Sequence, residues 1–266
     1  AERILKASAQ FTPTGAVFKH VLHLEHGKKL NIGPFVITPY LNDHSAYDAY
    51  SLLVVAEGKR LFYSGDLRRH GRKSTLFETL VQHPPSNVDM LLMEGTTIGR
   101  TGPESQFKTE KELEQDFLEQ IRKTHGMALV WTSGQNIDRL VTIFKATKRS
   151  GRQLIMDMYT AEILRETGNL KLPQGTWDGV RVFLPDSQKR QIKKNGQYDR
   201  TNAYSSNRIY PEELADAASR STMLFRPSMS RELERAGCLK EARLIYSLWR
   251  GYLKHKGQQR FLEWLK

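Results

Sequence analysis

Two segments of the chain carry a metal-binding type of side chain in a polar turn directly after an apolar run. The first reads Gly33-Pro-Phe-Val-Ile-Thr-Pro-Tyr-Leu-Asn-Asp-His-Ser45, and the second Lys59-Arg-Leu-Phe-Tyr-Ser-Gly-Asp-Leu67. His44 and Asp66 thereby become an imidazole and a carboxylate at strand ends, the donors that a divalent cation takes. Two donors do not complete a site, so the remaining ligands decide whether the chain is an enzyme or part of one. The Asp66 turn runs straight into Arg68, Arg69, His70, Arg72 and Lys73. That run puts cations beside the chemistry, where they suit a phosphate.

Other reactive residues read as structural. His20, His23 and His26 are three apart, which on a strand sends His23 to the opposite face from its two neighbours. His83, His125 and His255 stand alone in polar turns or helix ends and are expected on the surface. The one cysteine, Cys238, falls in a helical pattern over Glu232–Arg243 and reads as a packed thiol. It excludes an internal disulfide and Cys-based zinc clusters, and suits a reducing, cytoplasmic setting, or a nuclear one in a eukaryote. No Gly-x-Gly-x-x-Gly loop is present. Ser133-Gly134, between a strand and a helix, fits either phosphate binding by helix N-terminal amides or an ordinary turn.

The elements that must position these residues alternate along the chain. Strands are expected at Val17–Leu24 and Pro34–Thr38, followed by a turn at Asn42–Ser45. Ala49–Ala56 and Arg60–Ser64 pair across Glu57-Gly58 as a hairpin. Val88–Glu94 reads as a short buried strand ending in the turn Gly95–Thr97. Thr109-Glu-Lys-Glu112 has the capping-box pattern and opens a helix to about Thr124. Strand Met127–Thr132, helix Asn136–Arg149, strand Gln153–Met158 and a helix from Thr160 follow. Residues 169–210 read as irregular apart from a strand at Gly179–Phe183. Late strands are expected at Thr222–Arg226 and Arg243–Leu248, with a closing helix at Arg260–Lys266. From about Ile98 the regular alternation implies a separate α/β domain with a parallel sheet.

Composition sets the partner class. With 266 residues, 39% apolar and 26% charged, the chain suits a soluble globular protein with a sizeable core. No run reaches the roughly 18 apolar residues of a membrane helix, the N-terminus is no signal peptide, and no membrane partner is expected. The net charge of +12 favours polyanions through counterion release. Basic residues gather after Asp66, at Lys145, Lys148, Arg149 and Arg152, and at Lys189, Arg190, Lys193, Lys194 and Arg200, where Tyr198 and Tyr204 interleave.

Asp-His-Ser-Ala-Tyr-Asp48, then Tyr-Ser-Gly-Asp66, then Met-Glu-Gly-Thr96 resemble successive motifs of the metallo-β-lactamase fold in its β-CASP nuclease branch, which includes ribonuclease J and the endonuclease of pre-mRNA 3′-end cleavage. Trp131-Thr-Ser-Gly-Gln-Asn-Ile-Asp-Arg139 resembles the strand–helix turn of the inserted β-CASP domain. The resemblance covers most of the chain. It implies an α/β fold: a partial αββα metallo-β-lactamase sandwich over residues 1–98, then a β-CASP-like domain and return segment over 99–266. It implies zinc, two ions in a complete site, with His44 a terminal ligand, Asp66 the bridging carboxylate and Glu94 the acid that orients a later histidine. Asp66 and Glu94 are then catalytic, and Arg68, His70, Arg72, Ser133, Asn136 and Arg139 substrate-binding. Asp43 and Asp48 fit either a supporting role or a turn cap. The implied activity is hydrolysis of phosphodiesters in RNA, ahead of single-stranded DNA.

The family's His-x-His-x-Asp-His and its later His-x-Ser-Gly-His-like segment do not occur in the 266 residues. The chain is therefore expected to be cut at both ends of the catalytic domain, to hold zinc incompletely or not at all, and to be inactive alone. The alternatives are a metallo-β-lactamase-fold hydrolase of a small ester or thioester, and a non-catalytic nucleic-acid-binding module.

Overall fold

The computed structural model describes residues 1–11, 18–96 and 107–265. The first elements are helix α1 (Glu2–Ala9), strands β1 (Leu30–Ile32), β2 (Phe35–Leu41), β3 (Tyr50–Ala56) and β4 (Lys59–Tyr63), helix α2 (Ser74–Gln82) and strand β5 (Met90–Leu92). Next come α3 (Glu110–Arg122), β6 (Ala128–Trp131), α4 (Ile137–Arg149), β7 (Gln153–Asp157) and α5 (Met158–Glu166). The chain continues through β8 (Val180–Phe183), α6 (Asp186–Asn195), α7 (Asp199–Asn202), β9 (Arg208–Ile209) and α8 (Leu214–Ala217). It ends with β10 (Ser221–Leu224), α9 (Ser230–Arg235), β11 (Arg243–Tyr246) and α10 (Gln259–Trp264). Contacts divide the chain into one unit of residues 18–113 and another of 1–17 with 114–266.

In the 18–113 unit a five-stranded mixed sheet runs in the order β1-β2-β3-β4-β5. The first four strands are antiparallel, and β5 lies parallel to β4. The β3–β4 hairpin turns through Glu57 at φ 48° and Gly58 at φ 75°. Two consecutive positive φ values make the type I′ turn whose twist matches a hairpin. Few apolar side chains of this unit are buried, Leu53 and Phe62 among them, alongside buried Thr38, Asn42, Asp43, Ser51 and Ser64.

The other unit holds a six-stranded sheet in the order β11-β6-β10-β7-β8-β9, parallel throughout. Its strands read as continuous apolar runs because helices cover both faces of a parallel sheet. Leu129, Ile155, Phe183 and Met223 are buried in one cluster with Phe225, Leu233 and Phe261. Asn136 caps α4 by accepting from the Arg139 amide at 3.1 Å. Helix α1 packs on α5 through buried Ile4 and Ala7.

Several sequence expectations give way to packing. Phe18–Leu24 carries no strand and is exposed, while Val17 lies outside the described residues. β5 is exposed on both faces, with Met90, Leu91, Leu92 and Met93 46–65% accessible. Among the described residues it is an edge strand paired with β4 alone. Residues 169–210 contain α6, α7 and β9 in addition to β8, their polar helices lacking the apolar period that reveals a helix. The helix before Cys238 stops at Arg235, and Gly237 at φ 65° turns the chain so that the thiol is buried. Burial pushes that thiol up to about 11. The division into units also runs elsewhere than 98/99, because α1 packs with the later unit and the break falls inside α3. Thr97 and the segment from Ile98 to Gln106 lie outside the described residues.

Ile155 is fully buried in β7, in register with Met223 of β10 and Arg181 of β8. Ile155→Ala leaves a cavity there and is expected to lower the unfolding free energy by about 2–5 kcal/mol. A urea titration reads this as a lower midpoint at unchanged slope.

Candidate functional site

In the 18–113 unit the ends of three strands are tied together by buried polar atoms. The Asn42 carboxamide donates to the Ser64 carbonyl at 2.8 Å, and the Ser51 hydroxyl reaches Asn42 Oδ1 at 2.8 Å. The same hydroxyl lies 2.7 Å from the Ser64 carbonyl. Ser64 in turn accepts from the Glu94 amide at 3.1 Å through Oγ. The exits of β2, β4 and β5 are thus fixed against one another, and those exits carry His44, Asp66 and Glu94. Gly65 completes the arrangement: its φ is +57°, and a Cβ there would sit 2.7 Å from the Tyr50 carbonyl oxygen. No other residue fits that turn.

His44 Nε2 faces Asp66 Oδ2 at 3.7 Å, with Asp66 largely exposed and His44 mostly covered. Burial holds the His44 pKa below its ordinary 6.5; Asp66 opposes that shift, and Arg68 and Lys73 add to it. The Ala46 amide donates to His44 Nδ1 at 3.2 Å. In the neutral ring the proton therefore sits on Nε2, the nitrogen that faces Asp66. Glu94 is occupied by the Leu67 amide at 2.6 Å and the Thr96 hydroxyl, so it braces the Asp66 turn.

Zinc takes four donors in a closed site and three in a catalytic one. Among the described residues no group of three or more His, Cys, Asp or Glu could hold a metal ion. Ligation through His44 Nε2 would also require moving its proton to Nδ1 and losing the Ala46 hydrogen bond. The described residues by themselves do not fit a zinc centre.

The basic run after Asp66 is shaped by Asp43, which is 1% exposed. Its carboxylate accepts from the Gly71 amide at 2.8 Å and the Lys73 amide at 3.3 Å, and its carbonyl accepts from the Arg68 amide at 2.8 Å. Arg68 is mostly buried, 3.8 Å from Asp43 and 3.8 Å from Glu110. Its guanidinium holds the loop on those two acids rather than standing open to a substrate. A Cβ on Gly71 would fall 2.1 Å from Asp43 Oδ1, which fixes glycine there. His70 stacks on Phe107 at 5.2 Å, and Arg72 is half-buried. Asp43 is the residue that sequence reasoning left between a cap and a supporting role; it clamps the loop. Asp48 sits in the following turn at φ 54°.

Ser133, Asn136 and Arg139 belong to the other unit, at the turn from β6 into α4. Ser133 is exposed and accepts from the Gln135 amide through Oγ at 3.3 Å. Asn136 is the helix cap, and Arg139 donates to the Ser247 hydroxyl just past β11. Sequence reasoning passed over the residues beside them. Asp157, fully buried at the end of β7, binds Arg226 after β10 through Nε at 2.6 Å. Burial alone would raise the Asp157 pKa; Arg226, with Thr160 and Gln188, outweighs it and holds the carboxyl below its usual range. The signal was there: Asp157 ends an apolar run in the same way as Asp66.

No family model matches the chain, and no curated protein matches it. A protein of unknown function from Enterococcus faecalis V583, known from a crystal structure, is similar over 99% of this chain with a TM-score of 0.69 and 18% identity. The chain spans 59% of that protein's length. Identity at this level speaks to a shared fold alone.

His44 supplies a pH test of the strand-end geometry. Its pKa is lowered in the fold, so the unfolded chain takes up the proton first as pH falls. The stability it contributes is complete above about pH 6.5 and declines as pH drops through the folded value. An NMR titration of its ring should give a midpoint below 6.5, and His44→Gln should flatten the acid-side loss of stability read on amides of residues 18–113. A midpoint above 6.5 would contradict the burial described here.

Proposed function

We propose that this chain is part of a metal-dependent phosphodiester hydrolase of the β-CASP branch of the metallo-β-lactamase fold, acting on RNA or, second to it, on single-stranded DNA. One observation carries the reading: His44, Asp66 and Glu94, the acids and imidazole of three motifs in family order, lie together where β2, β4 and β5 end, with Asp66 open to solvent. His44 and Asp66 are two donors of a larger set whose other members lie outside the described residues. Glu94 holds the Asp66 turn, and Asp43 holds the cationic loop that follows it.

Nucleic acid as substrate is supported by the charge. Arg190, Lys193 and Lys194 are exposed and lie three and four apart on α6, one face of a helix, and Lys145 and Lys148 are exposed on α4. Arg152 does not contribute, since its guanidinium is taken by the carbonyls of Gly126, Thr124 and Ser221. The two-donor count and the hydrogen bond to His44 Nδ1 favour a second reading, a nucleic-acid-binding module without metal. Among the described residues no helix is long and apolar enough to cross a membrane.

The full-length protein that carries this chain decides between the two readings. It should cleave labelled single-stranded RNA in the presence of zinc or manganese and stop when EDTA is added. Asp66→Ala should reduce cleavage by more than about hundredfold while leaving RNA affinity, followed by fluorescence anisotropy, within about twofold. Binding should weaken with salt at a slope of about −0.7 per phosphate contacted. Salt-sensitive binding without cleavage selects the binding module; cleavage that survives Asp66→Ala sinks the hydrolase assignment.

A further inference from the structure

A cavity of about 360 Å³ opens at the carboxyl edge of the parallel sheet, lined by Phe11, Ser133, Gly134, Tyr159, Ser187 and Arg226 together with Gln135 and Gln188. The walls come from the segments after β6, β7, β8 and β10 and from Phe11 just past α1. From β7 the chain leads to β8 on one side, and from β10 to β11 on the other, while β7 and β10 are neighbours. Open α/β sheets bind ligands at that kind of reversal, outside the carboxyl ends of the strands. The volume lies at the small end of ligand sites and suits one nucleotide rather than two.

The groups left open in this cavity are mainly donors. Both Asp157 oxygens are taken, by Arg226, by the Thr160 amide at 3.2 Å and by Gln188 at 2.6 Å. Gln188 Oε1 accepts from the Tyr159 amide at 3.0 Å. Arg226 turns Nε and Nη2 to Asp157 and Thr160, and its guanidinium lies over the Tyr159 ring at 4.9 Å from the centroid. Among the described residues Nη1 has no partner, so a pre-oriented cationic donor is left for a ligand. Ser133 keeps its hydroxyl proton, and Ser187 is exposed with no hydrogen bond among the described residues. Gly134 permits the approach of Arg226, since a Cβ there would sit 2.7 Å from Nη2. Phe11 meets Tyr159 edge to face at 5.6 Å and makes an aromatic wall, with the Gln135 carboxamide beside it donating to the Tyr159 hydroxyl at 2.7 Å.

We propose that this cavity binds a nucleoside monophosphate. Arg226 Nη1 and the hydroxyls of Ser133 and Ser187 hold the phosphate, and the nucleoside lies along Phe11 and Tyr159. A guanidinium oriented by a buried carboxylate beneath it suits a phosphate better than a mobile lysine does. The site uses no metal and does not depend on the hydrolase reading.

Calorimetric titration of the 266-residue chain in EDTA with AMP and UMP tests it. Saturable binding of at least one, with adenosine or uridine weaker by about tenfold or more, is expected. Ser187→Glu places a negative charge at an exposed position that folding does not need, and should weaken nucleotide binding by at least about tenfold. Arg226→Lys keeps a cation beside Asp157 and should weaken binding by a similar factor, with its unfolding midpoint reporting that the chain is intact. The proposal is overturned by no saturation up to about 10 mM, by a nucleoside binding as tightly as its monophosphate, or by affinity unchanged in Ser187→Glu. Because EDTA is present throughout, failure of the hydrolase reading leaves these outcomes as they are.

Discussion

Asn42 makes the 18–113 unit what it is. A carboxamide that is 3% exposed must find partners within the protein, since an unpaired buried amide costs about 1–3 kcal/mol. It finds them on Ser51 and Ser64, one strand and two strands away, and so fixes where β2, β3 and β4 end relative to one another. A hydrophobic contact is non-directional, whereas this network fixes donor against acceptor atom by atom. Ser64 passes the constraint to β5 through Glu94, and Glu94 passes it back to the turn of Asp66 through the Leu67 amide. The strand-end positions of His44, Asp66 and Glu94 follow from that closed circuit, while Asp43 holds the basic loop beside them. The unit invests its buried positions in polar specificity, and its small apolar core, with exposed β5, is the complement of that choice.

The parallel-sheet unit solves the same problem by a different route. Its strands are anchored by apolar burial on both faces, and its polar constraint sits at the edge, in the Asp157–Arg226 pair. Placing a carboxylate at 0% exposure is costly unless it is both paired and hydrogen-bonded. Here the guanidinium, the Thr160 amide and the Gln188 carboxamide share that task. Removing Arg226 would leave an uncompensated buried charge, so the residue carries structural weight as well as any ligand it meets. Glu162 repeats the pattern deeper in the unit, with Arg165, Arg200 and Tyr204 around it.

How much of this was legible in the sequence depends on the kind of signal. Period and turn chemistry were enough for the Glu57-Gly58 hairpin, for the Thr109–Glu112 capping box, whose two reciprocal bonds are present, and for the parallel sheet after residue 107. The strand-end positions of His44, Asp66 and Glu94 were legible because each follows an apolar run. What escaped were polar helices such as α6, whose sequence Asp-Ser-Gln-Lys-Arg-Gln-Ile-Lys-Lys-Asn buries only Gln188 and Ile192. Two buried positions in ten leave no stripe to detect. Arg68 was read as substrate-binding from the family resemblance of the motif in which it stands. Only the three-dimensional neighbours Asp43 and Glu110 reveal it as a structural tie. Val88–Glu94 looked buried for the opposite reason: composition cannot tell a covered apolar strand from an uncovered one.

The two clusters of polar side chains differ in which hydrogen-bonding capacity they leave open, and that difference sets their chemistry. At the strand ends of the 18–113 unit the buried carboxylate, Asp43, is engaged by backbone amides, while the exposed one, Asp66, has His44 as its near neighbour. The open carboxylate is the acceptor at this corner, faced by the Nε2 proton of His44, and it attracts cations or protons. At the carboxyl edge of the parallel sheet the carboxylate is the group that is buried and satisfied, and the serine hydroxyls and one guanidinium nitrogen are left. That corner is donor-rich and attracts anions. A net charge of +12 strengthens the second and weakens the first. A cation therefore stays at Asp66 only where further donors join it, whereas an anion at Arg226 meets a site already assembled.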